Sequence, residues 1–174
     1  MARPLQDALD GNIILIGMPG CGKSTVGVLL AKALGYDFID TDVIIQLQEG
    51  EVLQELVACR GYLELRNIEQ NVLLSLQITR TVLATGGSAV YAESAMDALA
   101  NNGTVVYLAA PLETIGERIH NFGERGIACP ADQGLAAVYN ERVPLYEPYA
   151  ELTVDASAPL EEVVSDLTTK LRQR

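Results

Sequence analysis

The segment 17–25 holds the residues whose types and spacing point most directly to chemistry. It reads GMPGCGKST, which fits the pattern G-x-x-x-x-G-K-[ST] between a predicted strand and a predicted helix. Glycines let successive backbone N–H groups curl around an anion, and the helix directs the positive end of its dipole to the same place. The pattern predicts a nucleoside triphosphate site in which Lys23 is catalytic, contacting the β- and γ-phosphates, and Ser24 binds Mg²⁺. The predicted nucleotide-binding residues are Gly17, Gly20, Cys21, Gly22, Lys23, Ser24 and Thr25.

Two aspartates, Asp40 and Asp42, follow the second predicted strand. In an open α/β sheet, the loops at the carboxyl ends of the strands line the ligand crevice. Two carboxylates on alternate positions can divide the work there. One holds the metal, while the other aligns a substrate hydroxyl and takes its proton. The structural alternative is that Asp42 only caps the next helix.

A helical pair and a glycine turn supply further candidates for the acceptor side. Arg66 and Glu69 lie three residues apart on one predicted helical face, so Glu69 is expected to hold the guanidinium against a substrate carboxylate. The alternative is an exposed helix pair. Gly86 and Gly87 end the third predicted strand, where they either permit a ligand to approach the backbone or form an ordinary turn.

These side chains need a common scaffold, and the hydrophobic pattern predicts an alternation of strands and helices. Strands are predicted at 12–16, 36–39, 81–84, 104–109 and 152–154. Helices are predicted at 23–34, 43–59 (in two pieces broken near Gly50), 62–78, 93–100, 112–122, 135–149 (interrupted at Pro144) and 160–172. This order predicts an α/β three-layer sandwich with a five-stranded parallel sheet. No repeat or linker divides the chain, so a single domain is predicted over 1–174.

Composition narrows the classes of partner. The formal net charge is −11, which disfavours binding to nucleic acid. Three widely spaced cysteines and one histidine predict neither a disulfide framework nor a zinc site. No apolar run approaches the roughly 20 residues that span a bilayer, and the N-terminus lacks the pattern of a signal peptide. We therefore expect a cytoplasmic monomer that acts on a small molecule.

Together these segments resemble the shikimate kinase family, within the nucleoside-monophosphate-kinase-like group of P-loop proteins. The matching stretches, in order from about Ile13 to Asp155, are GMPGCGKST, DFIDTD, LRNIE, ATGGSAV, RIHNFGER and ERVPLY. The resemblance implies a P-loop kinase fold with a short lid at about 122–134. It also implies ATP and Mg²⁺ as cofactors and phosphorylation of a hydroxyl of shikimate, a step of aromatic amino-acid biosynthesis.

The resemblance assigns acceptor-side roles by position. Asp42 matches the family's catalytic aspartate, which contacts the reacting hydroxyl, and Asp40 matches its partner on the metal side. Arg66 and Arg142 match the two arginines that grip the substrate carboxylate. The glycines beside the substrate ring match Gly86 and Gly87.

Two further arginines belong to the donor side in this resemblance. Arg118 matches the residue that packs on adenine. Arg125 matches the lid arginine that reaches the transferring phosphates, so it is predicted both to bind nucleotide and to be catalytic.

The sequence departs from the family pattern around the acceptor. Ser88 replaces the third glycine of the turn, the lid reads Arg125-Gly126-Ile127-Ala128 in place of Arg-Pro-Leu-Leu, and Gln46 replaces a glutamate. Two alternatives follow. One is a kinase for another small hydroxylated carboxylic acid, with Ser88 reading an extra polar group. The other is a nucleotide-binding regulator without transfer activity, because the lid is altered.

Overall fold

Five short parallel strands form one sheet. The strands are β1 (Asn12–Ile16), β2 (Asp37–Asp40), β3 (Thr81–Ala84), β4 (Gly103–Ala109) and β5 (Leu152–Asp155). Their order in the sheet is β2-β3-β1-β4-β5, and the predicted five-stranded parallel sheet is confirmed. In this computed structural model, which describes residues 11–173 except the side chain of Glu124, the central strands β1 and β3 are buried along their whole length. Burial on both faces explains why they consist mainly of aliphatic residues.

The helices within the described part of the chain cover both faces of the sheet. They are α1 (Lys23–Leu34), α2 (Thr41–Glu49), α3 (Leu53–Arg60), α4 (Tyr62–Ser75), α5 (Glu93–Asn102), α6 (Leu112–Arg118), α7 (Leu135–Tyr146) and α8 (Leu160–Arg172). Helices α1 and α8 pack together, with α1 against β1, β2 and β3 and α8 against β5. Helix α5 packs on β1 and β4, with α4 beside it, which produces the three-layer arrangement.

The helix predicted at 112–122 is too long by four residues. Helix α6 ends at Arg118, and a separate 3₁₀ turn follows at Phe122–Glu124. Ile119 leaves the helix with φ −112° and ψ 90°, and its buried side chain packs on the phosphate-binding loop. A Cβ added to Gly20 would lie 2.7 Å from Ile119 Cγ1. The contact with the loop therefore takes Ile119 out of the helical path.

The predicted interruption at Pro144 is wrong, because α7 continues through this proline to Tyr146. A proline removes one helical hydrogen bond, and tertiary packing can outweigh that loss. Arg142 and Tyr146, which flank Pro144, have 1% and 0% of their surface exposed. The helix predicted at 62–78 also ends earlier, at Ser75; the remaining elements agree with prediction to within about two residues.

Buried apolar residues form two clusters. The larger cluster surrounds the sheet, and its residues are mostly aliphatic. The smaller one lies between α2, α3 and α4 and consists of Ile45, Leu56, Leu65, Val72 and Ala128. Ala128 belongs to the segment 122–134, so that segment is packed onto the helices beside the sheet. Among residues 11–173, no helix is both long and apolar enough to cross a membrane.

Candidate active site

The loop between β1 and α1 has the backbone conformation that an anion site requires. Gly17, Gly20 and Gly22 have φ values of 145°, 80° and 101°, which residues with a Cβ rarely adopt. Gly22 is the N-cap of α1 and offers no side chain to its first turn. The N–H groups of that turn are therefore available to a ligand, at the positive end of the helix dipole.

Lys23 lies folded over the same loop. Its amine donates hydrogen bonds to the carbonyl oxygens of Gly17, at 2.8 Å, and Met18, at 3.0 Å, and lies 3.8 Å from Cys21 Sγ. The residue is 8% exposed, and Cys21 is 1% exposed. A buried ammonium group is thus positioned at the loop without a carboxylate within ion-pair distance among the described residues. This arrangement suits an anionic ligand.

Ser24, in the first turn of α1, contacts Asp40, the last residue of β2. The Ser24 hydroxyl donates to Asp40 Oδ2 at 2.5 Å, and Asp40 Oδ1 accepts from the backbone N–H of Asp42 at 3.0 Å. Asp40 is therefore the N-cap of α2, so the alternative in which Asp42 caps that helix is wrong. Because Asp40 takes the capping position, the Asp42 side chain is left to line the cleft.

Two acids, Asp42 and Glu69, meet behind the glycine turn that follows β3. A Cβ at Gly86 would collide with Glu69 Oε1 and would lie 3.0 Å from Asp42 Oδ1. Burial raises the pKa of Asp42 to about 6, helped by repulsion from Asp40 and opposed by Lys23. Burial likewise raises the pKa of Glu69 to about 7, against a hydrogen bond from Ser88. Only glycine leaves room at position 86 for these two carboxyl groups.

Glu69 does not hold Arg66 as expected. Its Oε2 accepts a hydrogen bond from the Ser88 hydroxyl, and its Oε1 is buried and has no hydrogen-bond partner among residues 11–173. Among the described residues, no ion pair joins Glu69 to Arg66. The helical spacing placed the two residues near one another, but Glu69 turns to the glycine turn instead. The Ser88 hydroxyl, which was the reason to consider a different acceptor, is occupied by this bond.

The two predicted carboxylate-binding arginines converge on one oxygen atom. From α4, Arg66 donates to the carbonyl oxygen of Ala128 through Nε at 3.2 Å and Nη2 at 3.0 Å. From α7, Arg142 donates to the same oxygen through Nη2 at 2.8 Å. A carbonyl oxygen is an acceptor like a carboxylate oxygen. The point at which the two guanidinium groups meet is therefore suited to bind a carboxylate group.

The remaining predicted residues, Arg118, Arg125 and Gly87, lie around the same cleft. Arg118 Nη1 donates to the carbonyl of Cys21 at 3.4 Å, beside a second pocket of about 270 Å³ that Ala156 and Ala158 also line. Arg125 is exposed and lines the main cleft. The carbonyl of Gly87 accepts a hydrogen bond from the buried Tyr146 hydroxyl at 2.6 Å, which fixes the glycine turn to α7.

Most of the predicted residues thus line one cleft of about 380 Å³ at the carboxyl edge of the sheet. Those in its wall are Gly20, Gly22, Lys23, Ser24, Thr25, Asp42, Gly86, Gly87, Arg118, Arg125 and Arg142. Those placed one contact behind it are Gly17, Cys21, Asp40 and Arg66.

Sequence reasoning missed several residues that shape this cleft. Thr41 is fully buried, and its hydroxyl accepts from Gly86 N at 3.0 Å, which ties the start of α2 to the glycine turn. Tyr91 places its ring 3.6 Å from the Arg66 guanidinium carbon. Thr41 lies within the stretch DFIDTD, of which only the two aspartates were taken as candidates, and Tyr91 has no motif of its own. The closeness of Tyr91 to the glycine turn, three residues after Ser88, was the only available signal.

Comparison with known proteins gives a consistent result. A family model described as "Shikimate kinase" matches residues 19–172. A shikimate kinase 2 from Enterobacter sp. (strain 638) is 38% identical over 165 residues, which cover 92% of this chain and 95% of the relative. The structure of shikimate kinase from Acinetobacter baumannii in complex with shikimate aligns with a TM-score of 0.83 and 32% identity, over 95% of this chain and 93% of that one. A crystal structure of shikimate kinase from Aquifex aeolicus aligns with a TM-score of 0.78 at 32% identity, over 92% and 95% of the two chains.

Proposed function

Because the chain belongs to the shikimate kinase family, we propose that its cleft transfers the γ-phosphoryl group of ATP in line to a hydroxyl of shikimate. The family's activity is that of a phosphotransferase with an alcohol acceptor, in aromatic amino-acid biosynthesis, and it uses ATP. The family, reaction class and nucleotide predicted from the sequence are thereby confirmed. The observation that carries the acceptor assignment is the convergence of Arg66 and Arg142 on one oxygen in a cleft lined by Asp42.

We assign the donor half of the cleft to ATP. The loop N–H groups and the Lys23 amine supply hydrogen-bond donors to the phosphates, because the loop glycines and the start of α1 leave these N–H groups available. In this proposal Arg118, beside the 270 Å³ pocket, covers the adenine. Arg125, exposed on the segment 122–134, reaches the phosphates when that segment closes.

Ser24 and Asp40 fit a Mg²⁺ site. Their hydroxyl and carboxylate oxygens lie 2.5 Å apart at the edge of the phosphate loop, and oxygen is the donor that Mg²⁺ prefers. When bound, the ion neutralises charge on the phosphates. These two residues would hold it directly or through its water molecules.

The acceptor half is assigned to Asp42, the two arginines and the glycine turn. Arg66 and Arg142 bind the carboxylate of shikimate, and Gly86 and Gly87 let the ring approach the backbone. Asp42 aligns the hydroxyl and accepts its proton as the phosphoryl group is transferred. Burial has raised the pKa of Asp42 to about 6, which makes it a better proton acceptor than an ordinary aspartate and leaves it mainly ionised above that pH.

The segment 122–134 is the proposed lid of a single kinase domain. It carries Arg125 on the donor side and Ala128 on the acceptor side. Closure expels water from the cleft and limits hydrolysis of ATP. The alternative of a different hydroxy acid depended on the Ser88 hydroxyl, and the bond from Ser88 to Glu69 makes that alternative weaker.

Replacing Asp42 with asparagine tests the proposed chemistry. We expect wild type to release ADP in a manner that depends on shikimate. Asp42→Asn should lower kcat by roughly 10²- to 10⁴-fold, because it removes the proton acceptor. ATP binding should be retained, since the phosphate loop is untouched. Initial rates in a coupled ADP assay and ATP titration by calorimetry measure the two effects.

The exposed Asp37→Asn, on the same β-strand as Asp40, is the matched control and should leave both measurements unchanged. Full turnover by Asp42→Asn would remove Asp42 from the mechanism. No turnover of wild type with saturating shikimate would reject this acceptor. In that case, turnover with another member of a hydroxy-acid panel would identify a different kinase. Tight ATP binding without turnover on any acceptor would indicate a regulator.

A further inference from the structure

The guanidinium group of Arg66 lies within cation–π distance of two aromatic rings. Its central carbon is 3.6 Å from the centroid of the Tyr91 ring and 5.1 Å from that of the Tyr62 ring. The guanidinium carbon of Arg142 is 5.5 Å from the same Tyr91 ring. One aromatic ring therefore faces both of the arginines that converge on the carbonyl of Ala128.

Tyr91 is held in this place from two sides. It ends the 3₁₀ turn Ala89–Tyr91, which follows the glycine turn and packs against α4 and α7. Its hydroxyl donates to Glu141, the neighbour of Arg142 on α7, and Glu141 also accepts from Gln133 at 3.3 Å. The ring is consequently anchored to the helix that carries Arg142 while it stacks on the arginine from α4.

Holding two like charges at one point requires an opposing attraction. Glu69, the carboxylate expected to supply it to Arg66, is bonded to Ser88 instead. Glu141 attracts both arginines, but it is exposed to water, which weakens that attraction. The negative face of an aromatic ring attracts guanidinium groups, and it does so more strongly when water is excluded. At 3.6 Å from its centroid, the Tyr91 ring is in stacking contact with Arg66. The ring thus orients the Arg66 fork without consuming the N–H donors that an acid needs.

We propose that Tyr91 is a positioning residue for the acceptor: its ring sets Arg66 and Arg142 so that their N–H groups converge on the substrate carboxylate. This inference rests on the proposed function. The arginines grip the end of the acceptor that does not react, so their orientation affects ground state and transition state equally. Loss of the ring should therefore raise the KM for shikimate and leave kcat nearly unchanged.

Two substitutions separate the ring from the hydroxyl. Tyr91→Leu removes the ring, and we expect the KM for shikimate to rise roughly three- to thirtyfold, the range that a cation–π contact covers. Tyr91→Phe keeps the ring and loses the hydroxyl, with its bond to Glu141 and its interaction with Arg142, so its KM should rise clearly less than that of Tyr91→Leu. The KM for ATP should not change in either variant, which also shows that each variant is folded.

The chain offers a matched control in a second cation–π pair. Arg80 lies 5.1 Å from the Tyr36 ring, at the opposite edge of the sheet from the cleft. Tyr36→Leu removes an aromatic ring from an arginine in the same way and should leave both KM values unchanged. A second readout is inhibition by shikimate methyl ester, which keeps the ring and hydroxyls but lacks the charge. Tyr91→Leu should weaken the binding of shikimate far more than the binding of the ester.

The outcomes are distinguishable from those of the proposed function. A wild type that turns over shikimate, together with a Tyr91→Leu variant of unchanged KM, would overturn the role of Tyr91 alone. Equal losses in Tyr91→Leu and Tyr91→Phe, or equal weakening of shikimate and its methyl ester, would also overturn it, since both would indicate a general structural defect. A wild type without activity on shikimate would overturn both proposals.

Discussion

Glu69 is a buried acid in the cleft with an incomplete set of hydrogen bonds. It is 3% exposed, one of its oxygens has no hydrogen-bond partner among the described residues, and it lies close to the second acid, Asp42, across Gly86. Burial is the main reason that its pKa rises to about 7, and the charges of Arg142 and Lys23 and the bond from Ser88 only partly compensate. The cleft thus contains a carboxyl group whose pKa is well above that of an ordinary glutamate.

This carboxyl should make stability depend on pH. The pKa of Glu69 is raised from its ordinary value of 4.5 to about 7 in the folded chain. Its stabilising contribution is therefore fully present below 4.5 and is lost as pH rises through 7, because the unfolded chain releases the proton first. We expect wild type to lose on the order of 3 kcal/mol more than Glu69→Gln in the free energy of unfolding between pH 4.5 and 8.

Urea unfolding of both proteins across this pH range measures the difference. Glu117→Gln, at an exposed position of α6, is the control and should follow the wild-type curve. Parallel pH curves for wild type and Glu69→Gln would show that Glu69 titrates alike in the folded and unfolded chains.

At the scale of elements, the segment 122–134 is attached to the helices beside the sheet through three consecutive contacts. Gly126, with φ 62°, is buried against the backbone of Leu53 and Gln54 at the start of α3. Ile127 lines the cleft, and Ala128 packs its side chain in the small apolar cluster while its carbonyl receives the arginine donors. The family's usual proline at position 126 is replaced here by a residue that can adopt a positive φ and approach a backbone closely.

Gly126→Ala should loosen this attachment. An added Cβ would collide with the backbone of Leu53 and Gln54 and would strain a backbone conformation that alanine disfavours by about 1–2 kcal/mol. The segment should then close less often over the cleft. We expect kcat to fall by about tenfold and the share of ATP hydrolysed without acceptor to rise several-fold. ADP release measured with and without shikimate gives both quantities.

Gly123 offers a matched control on the same segment. A Cβ there would meet no atom within 4 Å, so Gly123→Ala should keep both rates near those of wild type. If Gly126→Ala retained wild-type kcat and coupling, closure of this segment onto α3 would not be part of the reaction.

For the molecule as a whole, Asn12 joins three parts of the fold at the end of β1 opposite the phosphate loop. Its Nδ2 donates to the carbonyls of Ile78, at 3.1 Å, and Asn102, at 3.0 Å, and its Oδ1 accepts from Thr81 N at 3.1 Å. The side chain is 4% exposed. A polar residue in an otherwise apolar strand thus satisfies backbone groups that the sheet leaves unpaired.

Asn12→Ala should destabilise the fold without altering catalysis. Three buried hydrogen bonds are lost and their backbone partners are left unpaired, so we expect the free energy of unfolding to fall by roughly 2–4 kcal/mol. Both KM values should remain as in wild type, because the cleft is at the other end of the strand. Urea unfolding and steady-state kinetics at a temperature where the variant is folded test the two statements.

Asn101→Ala, at an exposed position of α5, is the control and should change stability by less than about 0.5 kcal/mol. An Asn12→Ala variant as stable as wild type would show that water replaces the lost bonds. A changed KM would show that the sheet transmits the change to the cleft.

The donor half and the fold class follow from signals that lie close together in the sequence. The phosphate loop occupies nine consecutive residues, and its glycines have the positive φ values that their positions suggested. The strands at Asn12–Ile16 and Thr81–Ala84 were predicted with their observed bounds, since short apolar runs between breakers are a local pattern. The C-terminal end of α6 and the path through Pro144 were missed because contacts with distant residues decide them.

The sequence by itself thus determined the phosphate loop, the parallel α/β architecture and, through its motifs, the family. Only the tertiary structure decided which side chains contact one another in the acceptor half of the cleft. Glu69 turns to Ser88, nineteen positions away, and Arg66 bonds to a carbonyl 62 positions away that Arg142 also reaches. Tyr91 stacks on side chains from two other helices. The reason is physical. Helices and strands with a buried face produce a periodic pattern of apolar residues in the sequence. The direction of a side chain depends instead on groups that are brought together only by folding.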